Sequence, residues 1–364
     1  MACEERKGGL CGGCLPVRGA RAPSFLSEVF MNYLTPCKID RLLIPPSFEK
    51  GAFDSHAVDC PFPFCHDGRY GMTYVGWDGI GYRTGLAFSD DLIHWRKAGM
   101  ILDRGKPGSL TQYNIALTSI LRDNALYGSG KLKQIGGRYV GTWHAYPGQG
   151  YESGPACIGI AYSDNLLSWE LDETSVLLAD PACPWEAGGL YKSWLMEHDG
   201  LYYLFYNAKT AGEPWKEQTG LATSSDLKTW TRSPLNPLLR NGPAGAFDDI
   251  FASDPCVLRD AGRWLMFYFG NSSDGHAREG LAFSEDLFHW EKSPQILVDV
   301  APPGSVDARF AHKPGIIAKD GVLYHFYCAV APVDGRPHGD IDTGEIRGVS
   351  LATSRPVSCG CGAI

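Results

Sequence analysis

The stretch Phe247 to Gly270, FDDIFASDPCVLRDAGRWLMFYFG, sets an acidic start, an apolar run, a Gly turn and an aromatic run in succession. Such a pattern predicts two antiparallel strands, Pro255 to Leu258 and Trp264 to Phe269, joined by a tight turn at Asp260 to Gly262, because aromatic residues suit a pleated, half-buried surface. Related stretches begin near Phe53, Trp185 and Val306, and a degenerate copy runs from Asp123 to His144. A second piece follows each hairpin: GLAFSDDLIHW ending at Trp95, GIAYSDNLLSW at Trp169, GLATSSDLKTW at Trp230, GLAFSEDLFHW at Trp290, and a truncated GVSLATSRPV near the C-terminus. Their serines, Ser89, Ser163, Ser224, Ser284 and Ser354, are 74, 61, 60 and 70 residues apart, which is a repeat period. After each Trp comes one more apolar segment (GMIL, SVLL, NPLL, QILV), giving four strands per unit.

Radial repetition of four-stranded antiparallel sheets is a β-propeller, and five copies predict five blades in an all-β fold. The expected blades are 50–104, 110–180, 184–241, 245–300 and 305–357. The last unit ends after its third strand, and the RLLI of Arg41 to Ile44 resembles the fourth-strand segments. That segment is expected to close the ring as the missing strand of the last blade, leaving no open edge there. The domain then runs over 36–357, with 1–35 a disordered extension and 358–364 a tail.

At 364 residues with 44% apolar content, the chain can bury a large core,. A net charge of −8 argues against nonspecific nucleic-acid binding,. No run has the length of a membrane-spanning helix, and the first residues lack the apolar core of a secretory signal,. Cys60, Cys65, Cys256 and Cys328 fall in predicted strands and read as buried thiols of a cytoplasmic protein. Cys11-x-x-Cys14 and Cys359-x-Cys361 lack a second ligand pair at zinc spacing, so no metal is assigned and no cofactor is expected,.

The tryptophans of the repeated SxDLxxW pieces recur at one place, which favours packing between blades over sugar stacking. The acids that open the hairpins, Asp54, Glu186, Asp248 or Asp249, Asp307 and Asp123, recur in the same way and can accept bonds from loop amides,. In a propeller, first-strand starts and the loops after second strands converge on one rim, so residues that break the repeat there are informative. First-strand starts hold Asp59-Cys60, Lys131, Tyr191-Lys192, Ser253-Asp254 and His312-Lys313. Asp59 and Asp254 share a column if Ala261 is a turn insertion, whereas anchoring on Pro61 and Pro255 shifts them by one. The returning loops hold Trp77 and Arg83; Trp143, His144, Tyr146 and Glu152; Asn207, Lys209, Trp215 and Glu217; Asn271, His276 and Glu279; and Asp334 and His338.

Two carboxylates and several bases facing a channel are costly to bury unpaired, so the cluster is either a functional pocket or a ring of salt bridges. Carboxylates with Trp, Tyr and His suit a carbohydrate partner, whose hydroxyls take hydrogen bonds and whose CH faces stack on rings. Glycoside cleavage needs one protonated acid and one base or nucleophile. Asp59 is the candidate base or nucleophile, and Glu186, the only Glu among the hairpin-opening acids, is the candidate acid, with Glu217 next. Lys131, Lys192, His312 and Lys313 would bind an anionic group such as a uronate or phosphate, or else pair with neighbouring acids.

The D-x-P at an inner strand start, the DGxYY hairpin and the SxDLxxW strands resemble the five-bladed glycosidases of the arabinanase, β-xylosidase and invertase group, glycoside hydrolase families 43 and 32. The resemblance covers about 38–357. It implies that Asp59 is the base or nucleophile and maps Asp254 loosely onto a residue that tunes the acid or stabilises the transition state. In that group the catalytic Glu starts the inner strand of blade 3, where this chain has Tyr191-Lys192-Ser193, which displaces the acid to Glu186 or Glu217. The expected activity is hydrolysis of a small oligosaccharide, neutral or acidic. A glycoside phosphorylase and a noncatalytic carbohydrate-binding propeller are the alternatives.

Overall fold

The computed structural model describes residues 32–150, 152–334 and 344–357; both terminal cysteine motifs and His338 lie outside them. The described residues form strands and no helix, so none contains a helix able to cross a membrane. After β1 (Cys37–Ile44), the strands β2 (Ala57–His66), β3 (Arg69–Trp77), β4 (Tyr82–Ser89) and β5 (Arg96–Leu102) make an antiparallel sheet in that order. A second sheet holds β6 (Ala116–Ile120), β7 (Gln134–Ile135), β8 (Arg138–Ala145), β9 (Cys157–Ser163) and β10 (Glu170–Leu177). The third sheet begins with β11 (Gly189–His198), β12 (Leu201–Lys209), β13 (Glu217–Ser224) and β14 (Thr231–Arg232). It continues through β15 (Phe251–Asp260), β16 (Arg263–Asn271), β17 (Ala277–Ser284) and β18 (Glu291–Lys292), then β19 (Phe310–Lys319), β20 (Val322–Pro332) and β21 (Glu345–Thr353). Single parallel pairs, Glu217 with Phe251 and Ala277 with Phe310, join these three groups into one continuous sheet.

The expected hairpin is present as β15 and β16, turning at Ala261 and Gly262 with φ of 47° and 82°, the two positive values that a two-residue hairpin requires,. The strand expected at Arg41 to Ile44 is present as β1 on β21. Its pairing is carried by Cys37, Lys38, Ile39 and Ile44, with an irregularity between Ile39 and Ile44. The fourth-strand expectation holds for GMIL and SVLL, which lie in β5 and β10, but NPLL and QILV make only isolated bridges, Thr219 to Leu239 and Glu279 to Val298. Pro237 has no N–H for a ladder. The Asn236 side chain stands in, accepting from Leu221 N–H at 2.9 Å and donating to its carbonyl at 3.0 Å.

The repeated SxDLxxW piece is a turn. Ser89 Oγ accepts from the N–H groups of Asp91 and Leu92, the Asp91 carboxylate accepts from Ile93 and His94, and Trp95 Nε1 donates to Leu92 O at 3.1 Å. The rings then pack across groups: Trp95 lies edge-on to Phe326 at 5.6 Å and Trp290 to Phe205 at 5.9 Å. The hairpin-opening acids form a second repeated device. Asp54, Glu186, Asp248 and Asp307 accept from Tyr74, Tyr206, Tyr268 and Tyr327 and pair with Lys97, Arg232, Lys292 and Lys38.

The first strands pack on one another at the centre. Buried Arg122 ties them together there, donating to the carbonyls of Pro63 on β2 and Ile316 on β19 while its guanidinium lies 5.4 and 5.1 Å from the Phe62 and Trp194 rings. The cysteines Cys37, Cys60, Cys65, Cys157, Cys183, Cys256 and Cys328 are free thiols; Cys60, Cys256 and Cys328 are buried, whereas Cys65 is only partly covered.

Candidate active site

Every first strand breaks its register at the same place: between Asp59 and Phe62, Leu117 and Ser119, Tyr191 and Ser193, Ser253 and Cys256, and His312 and Gly315. Bulges of this kind re-aim side chains. At four of them a residue other than Gly takes a positive φ: Cys60 (51°), Lys192 (34°), Asp254 (55°) and Lys313 (63°). Such a conformation costs about 1–2 kcal/mol per residue, so its recurrence marks a place where side-chain direction matters. The bulge settles the alignment. Asp254 stands with Cys60, Lys192 and Lys313, while Asp59 stands one step earlier with Tyr191, Ser253 and His312, as anchoring on Pro61 and Pro255 requires.

The bulges of β2, β11, β15 and β19 line one pocket. It collects the sequence candidates Asp59, His144, Lys192, Trp215, Glu217, Asp254, His312 and Lys313. Four others lie elsewhere. Glu186 is fully buried in the repeated acid, tyrosine and cation cluster, bonded to Tyr206 and paired with Arg232 at 2.8 Å, so it is not available as an acid. Lys131 is exposed, because the first strand of the second sheet is β6 and Lys131 sits in the connection that bridges to Cys65. Trp143 points into the core and donates from Nε1 to Ile160 O at 3.0 Å, since neighbours along β8 face opposite sides,. Arg83 is held by Asp78 and Asp103 at 3.3 and 2.9 Å.

Asp59 is the most constrained carboxylate of the pocket. Lys313 Nζ lies 2.7 Å from it and Arg347 Nη1 3.1 Å. Burial alone would raise its pKa, but Lys313, Arg347 and His312 outweigh burial and hold it well below the usual carboxylate range,. Glu217 behaves in the opposite way. Burial, then the neighbouring Glu152 carboxylate, push it up to about 7, although it accepts from Trp215 Nε1 at 3.0 Å and Ser253 Oγ at 2.8 Å. Burial raises Asp254 to about 6 against the pull of Lys192 and Lys313. Asn207 clamps its Oδ1 and accepts its backbone N–H at 2.6 Å, and Oδ2 has no hydrogen-bond partner among the described residues. Burial and then Asp254 raise the enclosed Glu279 well above the normal range.

Both imidazoles are neutral, lowered to about 3 by burial and by nearby Lys. Lys192 N–H donates to His144 Nδ1 at 3.3 Å, which places the ring proton on Nε2. His312 Nδ1 donates to Cys328 O at 3.0 Å. Ligand atoms of Asp59, His312 and Cys328 lie within 4.8 Å of one another, but two cations already occupy the Asp59 carboxylate. The group therefore has no spare negative charge for a metal ion. One wall is aromatic: Trp215 stacks on Phe251 with centroids 6.3 Å apart at 10°, and Lys209 lies 4.7 Å from the Trp215 ring.

Arg347 is the residue that sequence reasoning missed. The signal was the position just before the Gly of each third strand, which reads Thr84, Ile158, Thr219, Glu279 and Arg347. Thr84 Oγ1 accepts from Leu117 N–H and Thr219 Oγ1 donates to Ala252 O, so this position reaches the next first strand. Glu279 and Arg347 put ionisable groups where the other repeats have none.

Residues 131–307 match the model of the glycosyl hydrolases family 32 N-terminal domain. An uncharacterized protein of Mycobacterium tuberculosis is 29% identical over 138 residues, covering 35% of this chain and 43% of its own length, so the chain matches less than half of that relative. Among solved structures, a complex of BT0996 with RGII is 28% identical with a TM-score of 0.76, covering 93% of this chain and 96% of that one. A structure described as a glycoside hydrolase is 27% identical with a TM-score of 0.77, covering 95% of this chain and 98% of its own. In sequence and in fold, the chain is similar to the propeller-type glycoside hydrolases.

Proposed function

We propose that this chain is a glycosidase, a five-bladed β-propeller of the family-32 and family-43 type that hydrolyses a glycosidic bond of a small oligosaccharide at the centre of its ring. The carrying observation is the contrast inside one pocket between Glu217, raised to about 7, and Asp59, held well below the normal carboxylate range. Glycoside hydrolysis needs that division between a carboxyl that keeps its proton and one that stays charged. Glu217 donates the proton to the leaving oxygen. Asp59, kept charged by Lys313 and Arg347, faces the developing oxocarbenium ion. Glu152 adds negative charge beside Glu217 and so keeps the acid protonated near neutral pH. Trp215 and Phe251 offer the sugar an apolar face,.

The five-bladed reading is supported by five first strands that each carry a bulge at the same place, and free thiols suit a cytoplasmic setting,. A screen of aryl glycosides and oligosaccharides, with and without inorganic phosphate, tests the activity. Turnover that needs no phosphate and is lost in Glu217→Gln and in Asp59→Asn supports hydrolysis by this pair. Strict dependence on phosphate would instead make the chain a phosphorylase. Azide rescue of Asp59→Asn but not of Glu152→Gln is expected, since an external anion replaces the carboxylate that faces the anomeric carbon.

A further inference from the structure

The pocket contains a lysine that no carboxylate pairs among the described residues. Lys192 is 5% exposed and lines the pocket beside Asp254 and His144. Among the described residues, no carboxylate oxygen lies within 4.0 Å of its Nζ, whereas the neighbouring cations are committed. Lys313 is bound to Asp59, Arg347 to Asp59 and Glu345, and Lys209 to the Glu152 carbonyl and the rings of Tyr146, Tyr191 and Trp215. Burying an ammonium without a bonded anion is costly, and Lys192 is also held at a positive φ that aims it inward,. His144 adds a second donor, because its Nδ1 accepts the Lys192 N–H and leaves Nε2–H as the remaining polar atom of the ring,. Three cations, Lys192, Lys313 and Arg347, line the pocket with Asp59 and Asp254. Of the three, Lys313 and Arg347 are ion-paired, and Lys192 has no carboxylate within ion-pair distance among the described residues.

We infer that the substrate supplies the partner of Lys192: the floor binds one oxyanion, the carboxylate of a uronosyl residue, between the Lys192 ammonium and the His144 Nε2–H. This rests on the reading of the pocket as a sugar site and names the class of sugar. A single carboxylate offers one oxygen to the ammonium and one to the imidazole N–H. Inorganic phosphate offers the same oxyanion chemistry with up to one charge more, and the test separates the two.

The full chain is titrated by calorimetry with D-glucuronate and D-galacturonate, with the neutral counterparts D-glucose and D-galactose, and with inorganic phosphate. At least one uronate is expected to bind about 10- to 100-fold tighter than its neutral counterpart, the range of a charged hydrogen bond. Lys192→Met should erase that preference while leaving neutral-sugar affinity and the melting temperature near wild type, and Lys192→Arg should keep most of it. Equal binding of uronate and neutral sugar by wild type, no sugar binding at all, phosphate binding alone, or a preference that survives Lys192→Met would each overturn the inference. The wild-type comparison decides even if a variant fails to fold. Turnover is not read here, so uronate binding without cleavage of any glycoside would sink the glycosidase reading and leave this subsite standing.

Discussion

Arg347 and Asp59 are 288 positions apart in the chain and 3.1 Å apart in space. One lies on β21, the last strand, and the other on β2, in the first sheet, so a single ion pair links the two ends of the fold at the floor of the pocket. The same contact sets the chemistry of Asp59, because its charge is kept by cations that arrive only when the ends meet.

Arg347→Met should therefore raise the Asp59 pKa. Asp59 must be charged to act, so the acid limb of the pH–rate profile is expected to move to higher pH, with Lys313 limiting the shift. A profile of kcat/KM between pH 3 and 8 for both proteins checks this. An unmoved acid limb would show that Asp59 is not the group that must be ionised.

Glu186→Gln separates structure from catalysis. Removing the buried carboxylate should cost about 1–3 kcal/mol, because Tyr206 loses a charged acceptor while Arg232, one-third exposed, can turn to water,. Urea denaturation should register that loss. The kcat/KM of the folded fraction should stay within about twofold of wild type, as expected of a group that never meets substrate.

The buried histidines tie stability to pH. His144, His312 and His325 are each lowered to about 3 by burial, whereas an unfolded histidine titrates near 6.5,. Between those values the unfolded state binds more protons, so the stability that these rings contribute is complete above about 6.5 and is lost as pH falls toward 3. Glu217 and Asp254, raised to about 7 and 6, contribute in the opposite sense over the same range, so the histidine contribution is read as a difference: the melting temperature of wild type relative to His325→Gln should fall from pH 7 to 4,. His325 lies in the core with Thr35 as partner, so this variant leaves the pocket alone.

The hairpins, the repeated turns and the pairing strand β1 were legible because each repeats a local rule: a Gly turn between apolar runs, a Ser and an Asp placed to accept loop amides, or an apolar segment like those after each Trp. The pocket was partly legible, since seven first-strand and loop residues that break the repeat do meet there with Asp59. Glu186 misled because a Glu among aspartates looks like an exception, yet Tyr206 and Arg232 treat it just as their counterparts treat Asp54 and Asp248. Lys131 misled because the second hairpin is interrupted by the connection that contains it, and the true first strand, β6, carries no charge. Arg347 went unseen because its position holds Thr or Ile in three other units and acquires meaning only when the chain ends come together.

Deleting Cys37–Ile44 should expose the edge of β21 and remove the carbonyls of Ile39 and Arg41 to which Ser350 Oγ donates at 2.9 and 3.0 Å. Loss of a single cooperative melting transition, followed by circular dichroism, is the expected result. A truncated chain that melts as wild type does would mean that β1 merely decorates the edge.

The most direct measurement is kcat/KM for Glu217→Gln and wild type on a matched pair of aryl glycosides, one with an activated nitrophenolate leaving group and one with a poor alcohol. A general acid is needed only by the poor leaving group. The account predicts a loss of at least about 10²-fold on the poor substrate, a much smaller loss on the activated one, an alkaline limb near pH 7 in wild type, and its disappearance in the variant,. Equal losses on both substrates, or an alkaline limb that persists in Glu217→Gln, would contradict it.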